Sequence, residues 1–97
     1  MKEEDVFKLL KQVPYGKVTT YGDLARKLNS KAFRVIGVIM HRNKDPENIP
    51  CFKIVKSNGE LGGYASGVDE KIKRLNREGI EVINGKIDLE KYLYKFE

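Results

Sequence analysis

A small α+β domain of winged-helix character is predicted, and three features of the chain predict it. Apolar residues recur at helical spacing in five segments, two of which are short and joined by a tight turn. The middle of the chain leans toward extended structure, and an Asn-Gly pair near the C-terminal end carries the strongest short hairpin signal. With 97 residues, the chain is expected to form one domain over 1–97, with a single core and no second catalytic domain.

The elements follow in order. From Glu3 to Val13, Val6, Leu9, Leu10 and Val13 fall on one helical face, with Phe7 on its flank. Pro14-Tyr15-Gly16 ends this helix, since proline disfavours helical backbone at Val13 and glycine supplies a turn. Lys17 to Thr19 is short and β-leaning. Thr20 followed by Asp23 resembles a capping box and opens a helix from Tyr21 to Leu28, with Leu24, Ala25 and Leu28 inward. Asn29-Ser30 stops it, and Ser30 caps a third helix from Lys31 to about His41, where Phe33, Ile36, Val38 and Met40 supply apolar surface. The last two form a helix-turn-helix candidate.

Asn43 to Pro50 reads as a surface loop leading into an extended segment, Cys51 to Val55. Ser57-Asn58-Gly59 is a turn, and three glycines between Leu61 and Gly67 imply sharply bent backbone or close approach of a ligand. A helix from Val68 to Glu78 carries Ile72 and Leu75 inward and stops at Gly79. Ile80 to Ile83 and Lys86 to Ile87 form a hairpin about Asn84-Gly85, and Asp88 caps a closing helix to Phe96.

Composition narrows the function classes. Hydrophobic residues at 40% suffice for a core, which excludes global disorder, and a formal charge of +5 favours polyanionic partners. The run Val35 to Met40 is far too short to span a bilayer and the N-terminus is charged, so no membrane and no secretion signal are expected. One cysteine and one histidine cannot supply a four-ligand structural zinc site, so no metal and no cofactor are expected. An intracellular location, cytoplasmic or at the nucleoid or nucleus, and a monomeric state fit this reading.

Cys51 follows Pro50 where a loop enters a strand, a position that suits a presented thiol, although a lone cysteine is more often a buried, inert one. His41, beside Arg42, reads as a solvated or phosphate-facing side chain rather than a catalytic one. Glu78 alone reads as a surface carboxylate. Lys27, Lys31, Arg34, Arg42 and Lys44 gather around the helix pair, where phosphate contacts compete with a merely solvated face.

Arg34-Val35-Ile36-Gly37, Asn43, Ile49-Pro50-Cys51, Gly62-Gly63-Tyr64 and Glu78-Gly79 together resemble the C-terminal domain of the O6-alkylguanine-DNA alkyltransferases. The resemblance extends to Pro14-Tyr15-Gly16-Lys17-Val18 and Thr20-Tyr21, and so covers nearly the whole chain. It implies a partner, duplex DNA containing alkylated guanine, and a repair reaction in which the damaged base is flipped out and its alkyl group moves irreversibly to a cysteine. By position, Cys51 resembles the acceptor, Arg34 the finger that fills the gap, and Tyr21 the residue that helps rotate the phosphodiester. Asn43 resembles the residue ordering the turn near the acceptor. Tyr64, Ala65, Ser66 and Gly67 resemble the pocket loop beside Pro50.

Two departures accompany the resemblance. Family members follow the acceptor with histidine and arginine, whereas this chain has Phe52 and Lys53, which leaves Glu78 to pair with Lys53 or Lys71 or to stay solvated. The chain also begins directly at the DNA-binding portion, a shape shared with alkyltransferase-like proteins that recognise lesions without accepting the alkyl group. A lesion sensor is therefore the alternative to the transferase, and a plain winged-helix regulator reading bases through His41 and Arg42 is a third.

Overall fold

A computed structural model describes residues 3–29, 33–45, 47–64 and 66–96. Its elements are α1 (Glu3–Gln12), β1 (Thr19–Thr20), α2 (Tyr21–Lys27), α3 (Phe33–His41), a 3₁₀ turn (Cys51–Lys53), β2 (Ile54–Val55), α4 (Val68–Arg77) and α5 (Leu89–Tyr92). The expected α+β domain with its helix pair is present. The Ser30 cap and Lys31 lie outside the described residues.

Local chemistry accounts for several boundaries. The Asp23 amide donates to Thr20 Oγ1 at 3.0 Å, so the side chain that opens α2 satisfies one of its orphan N–H groups. Asn29, at φ 55°, takes the left-handed conformation that ends α2. At the C-terminal hairpin, Asn84 and Gly85 have φ 53° and 73°, as a type I′ turn requires, and Ile83 and Lys86 exchange hydrogen bonds of 2.9 and 3.0 Å. Beyond that turn the pairing is limited to isolated bridges, Ile83 with Lys86 and Glu60 with Lys86.

Three expectations change. Cys51 to Lys53 is a 3₁₀ turn rather than extended chain, because the Cys51 and Lys53 amides donate locally, to Ile49 and Pro50 carbonyls at 2.8 and 3.1 Å. Only Ile54–Val55 is strand, paired in parallel with Thr19–Thr20. The closing helix stops at Tyr92, since the edge at Val18 takes the chain over: the Val18 amide donates to Tyr92 O and the Tyr94 amide to Val18 O, both at 2.8 Å. On α3, Val38 faces solvent together with Val35, while Ile36, Ile39 and Met40 are buried.

Two apolar clusters fill the interior. One lies among α1, α2 and α3 and includes Val6, Leu10, Leu24, Ile36, Cys51 and Ile54. The other joins Val18, Phe52, Val55, Leu61, Leu75, Ile80, Ile87 and Tyr92. Cys51 and Phe52 are neighbours in the chain but belong to different clusters, so the 3₁₀ turn sits on the seam between them, and Tyr64 packs against both.

Candidate active site and nucleic-acid interface

The seam opens into a cavity of about 220 Å³ lined by Tyr21, Gly37, Met40, His41, Cys51, Ile54, Gly63 and Tyr64. This is smaller than the ~300–1,000 Å³ of drug-sized sites and suits one flat ring system. Its elements converge from both halves of the fold: α2 supplies Tyr21, α3 supplies Gly37, Met40 and His41, and the 3₁₀ turn supplies Cys51. Gly37 leaves the wall open, because a Cβ there would meet nothing within 4 Å.

Cys51 is 6% exposed, a free thiol at the cavity floor. Tyr64 lines the same cavity beside it. Burial, and then negative charge at Cys51, raise the pKa of both Tyr64 and Tyr21 above the ordinary phenol value, so both remain protonated donors at neutral pH. Asn43 orders the loop behind the thiol: its Nδ2 donates to Ile49 O and its Oδ1 accepts from the Asp45 amide, each at 2.9 Å. Arg74 of α4 ties the same loop down through Glu47, at 3.2 Å. Pro50 caps the 3₁₀ turn.

A second groove, of about 380 Å³, adjoins the cavity through the shared residues Tyr21, Gly37 and Gly63 and adds Arg34, Lys56 and Ser57. Arg34 is exposed on its rim, and two cations beside a pocket give the electrostatic footprint of a phosphate backbone. His41 is exposed at the cavity wall. Arg42 is turned away from the cavity, toward Glu3 of α1 at 3.6 Å. Ser66 and Gly67 are exposed, and Gly67, at φ 96°, caps α4 in a conformation that favours glycine. Ala65 lies outside the described residues.

Glu78 is not among the cavity-lining residues. Its Oε1 accepts from Lys53 Nζ at 2.8 Å and from the Gly16 amide at 2.9 Å. Of the partners left open by the sequence, Lys53 is the one it takes. Lys53 is itself buried and also donates to Pro14 O at 3.0 Å, and the Tyr15 hydroxyl donates to Arg77 O at 2.7 Å. Together these bonds clamp the end of α4 to the Pro14–Gly16 turn.

Sequence reasoning weighed Lys71 only as a partner for Glu78. In the structure it is fully buried, and its Nζ donates to the carbonyls of Ile54, Leu61 and Gly63. One signal existed: Lys71 lies one turn before Leu75, on the stripe assigned inward. Burial lowers its pKa from 10.5 to about 8, and negative charge at Cys51 opposes that shift. The unfolded chain thus binds more protons than the folded one between about pH 8 and 10.5. Burying this cation costs stability at neutral pH, and the cost is relieved as pH rises through that window.

A buried thiol under a ring-sized cavity, flanked by a groove with two cations and built on a helix-turn-helix, is the arrangement of a small DNA-binding domain. A profile described as the DNA binding domain of 6-O-methylguanine DNA methyltransferase matches residues 2–80, and the chain belongs to that family. A bifunctional methyltransferase/endonuclease of Picrophilus torridus is 54% identical over 92% of this chain and 30% of its own length. The chain thus spans less than a third of that curated relative. Among solved structures, S. pombe Atl1 in complex with damaged DNA containing O6-carboxymethylguanine superposes with a TM-score of 0.86 at 26% identity, covering 97% of this chain and 94% of that one. The O6-methylguanine-DNA methyltransferase of Pyrococcus kodakaraensis KOD1 gives 0.74 at 43% identity over 80% of this chain and 46% of that one.

Proposed function

We propose that this domain binds duplex DNA, draws an O6-alkylguanine into the Cys51 cavity and accepts the alkyl group on the Cys51 sulfur. The observation that carries the reading is the thiol at the floor of a cavity that opens beside Arg34 and Lys56. Flipping costs a few kcal/mol of stacking and pairing, which an inserted side chain and a shaped pocket offset in part. In the transfer step the sulfur–carbon bond forms and the carbon–O6 bond breaks. Its electron pair goes to the guanine, and the proton lost by the thiol is balanced by one gained on the base. Asn43 holds the loop that presents Cys51, and Tyr21 and Tyr64 line the space the base would enter. Glu78 acts through Lys53, holding the 3₁₀ turn that carries the thiol.

A second reading is lesion recognition without transfer. Phe52 offers no proton acceptor beside the thiol, and the match to Atl1 spans nearly all of that chain. Intact mass after incubation with a duplex containing O6-methylguanine separates the two. A gain of one methylene, absent from Cys51→Ser, is expected for transfer. Lesion-selective binding with no gain in mass would establish the sensor instead.

Arg34→Ala is expected to weaken binding to a lesion duplex more than to an undamaged one, by about tenfold, as loss of a residue that stabilises the flipped state. Anisotropy titrations on the two duplexes measure it, and equal losses would reduce Arg34 to a phosphate contact.

A further inference from the structure

Lys71 places an ammonium beneath the candidate active site, and neither the fold nor the transfer step described above uses its charge. An ammonium has three N–H donors and no acceptor. Here all three are taken by neutral carbonyls, Ile54 O at 2.7 Å, Leu61 O at 2.5 Å and Gly63 O at 3.3 Å. A neutral amine has only two donors and would turn its lone pair on the third carbonyl, so the cage is built for the cation. Among the described residues no carboxylate pairs with Lys71, and Glu78 and Glu70 are committed to Lys53 and Arg74. A buried cation without a carboxylate is costly, and the group on the same cavity wall that can take a negative charge is the thiol of Cys51. Ile54 and Gly63, which hold Nζ, also line the cavity with the thiol.

We propose that Lys71 is the counter-ion of the Cys51 thiolate, a positioning residue that makes the sulfur a nucleophile without a histidine at position 52. This deepens the transfer reading and rests on it. The other groups facing the sulfur are Tyr21 from α2 and Tyr64 from the loop before α4, both neutral phenols, and His41 from α3, exposed at the cavity wall. Lys53, two residues along the turn, is directed to Glu78. Among the described residues, that leaves Lys71 as the buried cation beside the cavity. The thiol proton departs to water, the thiolate is stabilised by the charge of Lys71, and the sulfur takes the alkyl carbon as the carbon–O6 bond breaks. The guanine regains a proton from water, and Lys71 keeps its three N–H bonds throughout. After transfer the thioether carries no charge, and Lys71 loses its counter-ion.

That last consequence supplies the deciding test, because coupling between two titrating groups is reciprocal. The Lys71 side chain is titrated by NMR in the full chain before and after Cys51 is capped with iodoacetamide. Capping is expected to move the Lys71 midpoint down by half a unit or more, roughly threefold in its proton affinity. An unmoved midpoint overturns the proposal. The rate of capping against pH supplies a second readout: Lys71→Met is expected to shift the profile to higher pH by about one unit, a slowing of about tenfold at neutral pH. A variant that merely loosens the Leu61–Gly63 loop would melt at lower temperature with its pH profile unmoved, and that result also overturns the proposal. If Lys71→Met does not fold, the wild-type titration decides alone. Neither measurement uses DNA. A shifted Lys71 midpoint without methyl gain from the lesion duplex therefore sinks the transfer reading alone, and methyl gain with an unmoved midpoint sinks the counter-ion alone.

Discussion

Glu78→Ala is expected to lower the unfolding free energy by about 3 kcal/mol, the usual scale for removing one partner of a buried ion pair. Lys53 would keep its bonds to the Val13 and Pro14 carbonyls but lose its counter-charge, with its side chain only 4% exposed. The Gly16 amide would lose its acceptor as well. Urea unfolding monitored at constant m-value measures the loss. The double variant Lys53→Met with Glu78→Gln is the control: it removes both charges while leaving an amide oxygen for Gly16, and should recover at least half of the deficit. A loss below ~1 kcal/mol for Glu78→Ala would mean that the pair behaves as a surface salt bridge and that the clamp between α4 and the Pro14–Gly16 turn is not structural.

Gly59→Ala is expected to cost a similar amount, about 3 kcal/mol, for a different reason. Gly59 has φ 90°, and a Cβ built there would stand 2.6 Å from the Ile87 carbonyl oxygen, a backbone atom that cannot rotate away. Left-handed backbone alone costs an alanine ~1–2 kcal/mol. The remainder comes from displacing the chain that receives Gly59, whose carbonyl accepts from the Ile87 amide at 2.9 Å. Gly79→Ala separates the two contributions, since Gly79 has φ 78° but open space where the Cβ would go. That variant should lose only the conformational part, about 1 kcal/mol. Equal losses at the two positions would show that the contact with Ile87 yields without cost.

The parts of the fold that could be read in the chain are those written by near neighbours. Thr20 and Asp23 mark the start of α2 because a hydroxyl and an amide three residues apart meet at a helix N-terminus. Asn84-Gly85 marks its turn because both residues tolerate positive φ. The extent of the closing helix was not readable, since Leu89, Tyr92, Leu93 and Phe96 keep helical spacing to the end. The chain leaves that helix to satisfy the Val18 backbone, which lies far away in sequence. The same holds for the extended reading of Cys51 to Val55, where local amide bonds to Ile49 and Pro50 outweigh β-propensity for one turn.

By itself, then, the amino-acid order determined most of the helices, the turns and the basic balance through patterns that each span a few residues, and it carried the family resemblance that made Cys51 and Arg34 the candidate acceptor and finger. Only the tertiary structure decided that Glu78 takes Lys53, that Arg42 turns to Glu3 and away from the cavity, and that Lys71 is caged by the Ile54, Leu61 and Gly63 carbonyls. The physical reason is that a charged side chain at an inward helical position reads as a surface residue until its burial is known. Its partners are carbonyls and charges brought together by packing between segments that no local period connects.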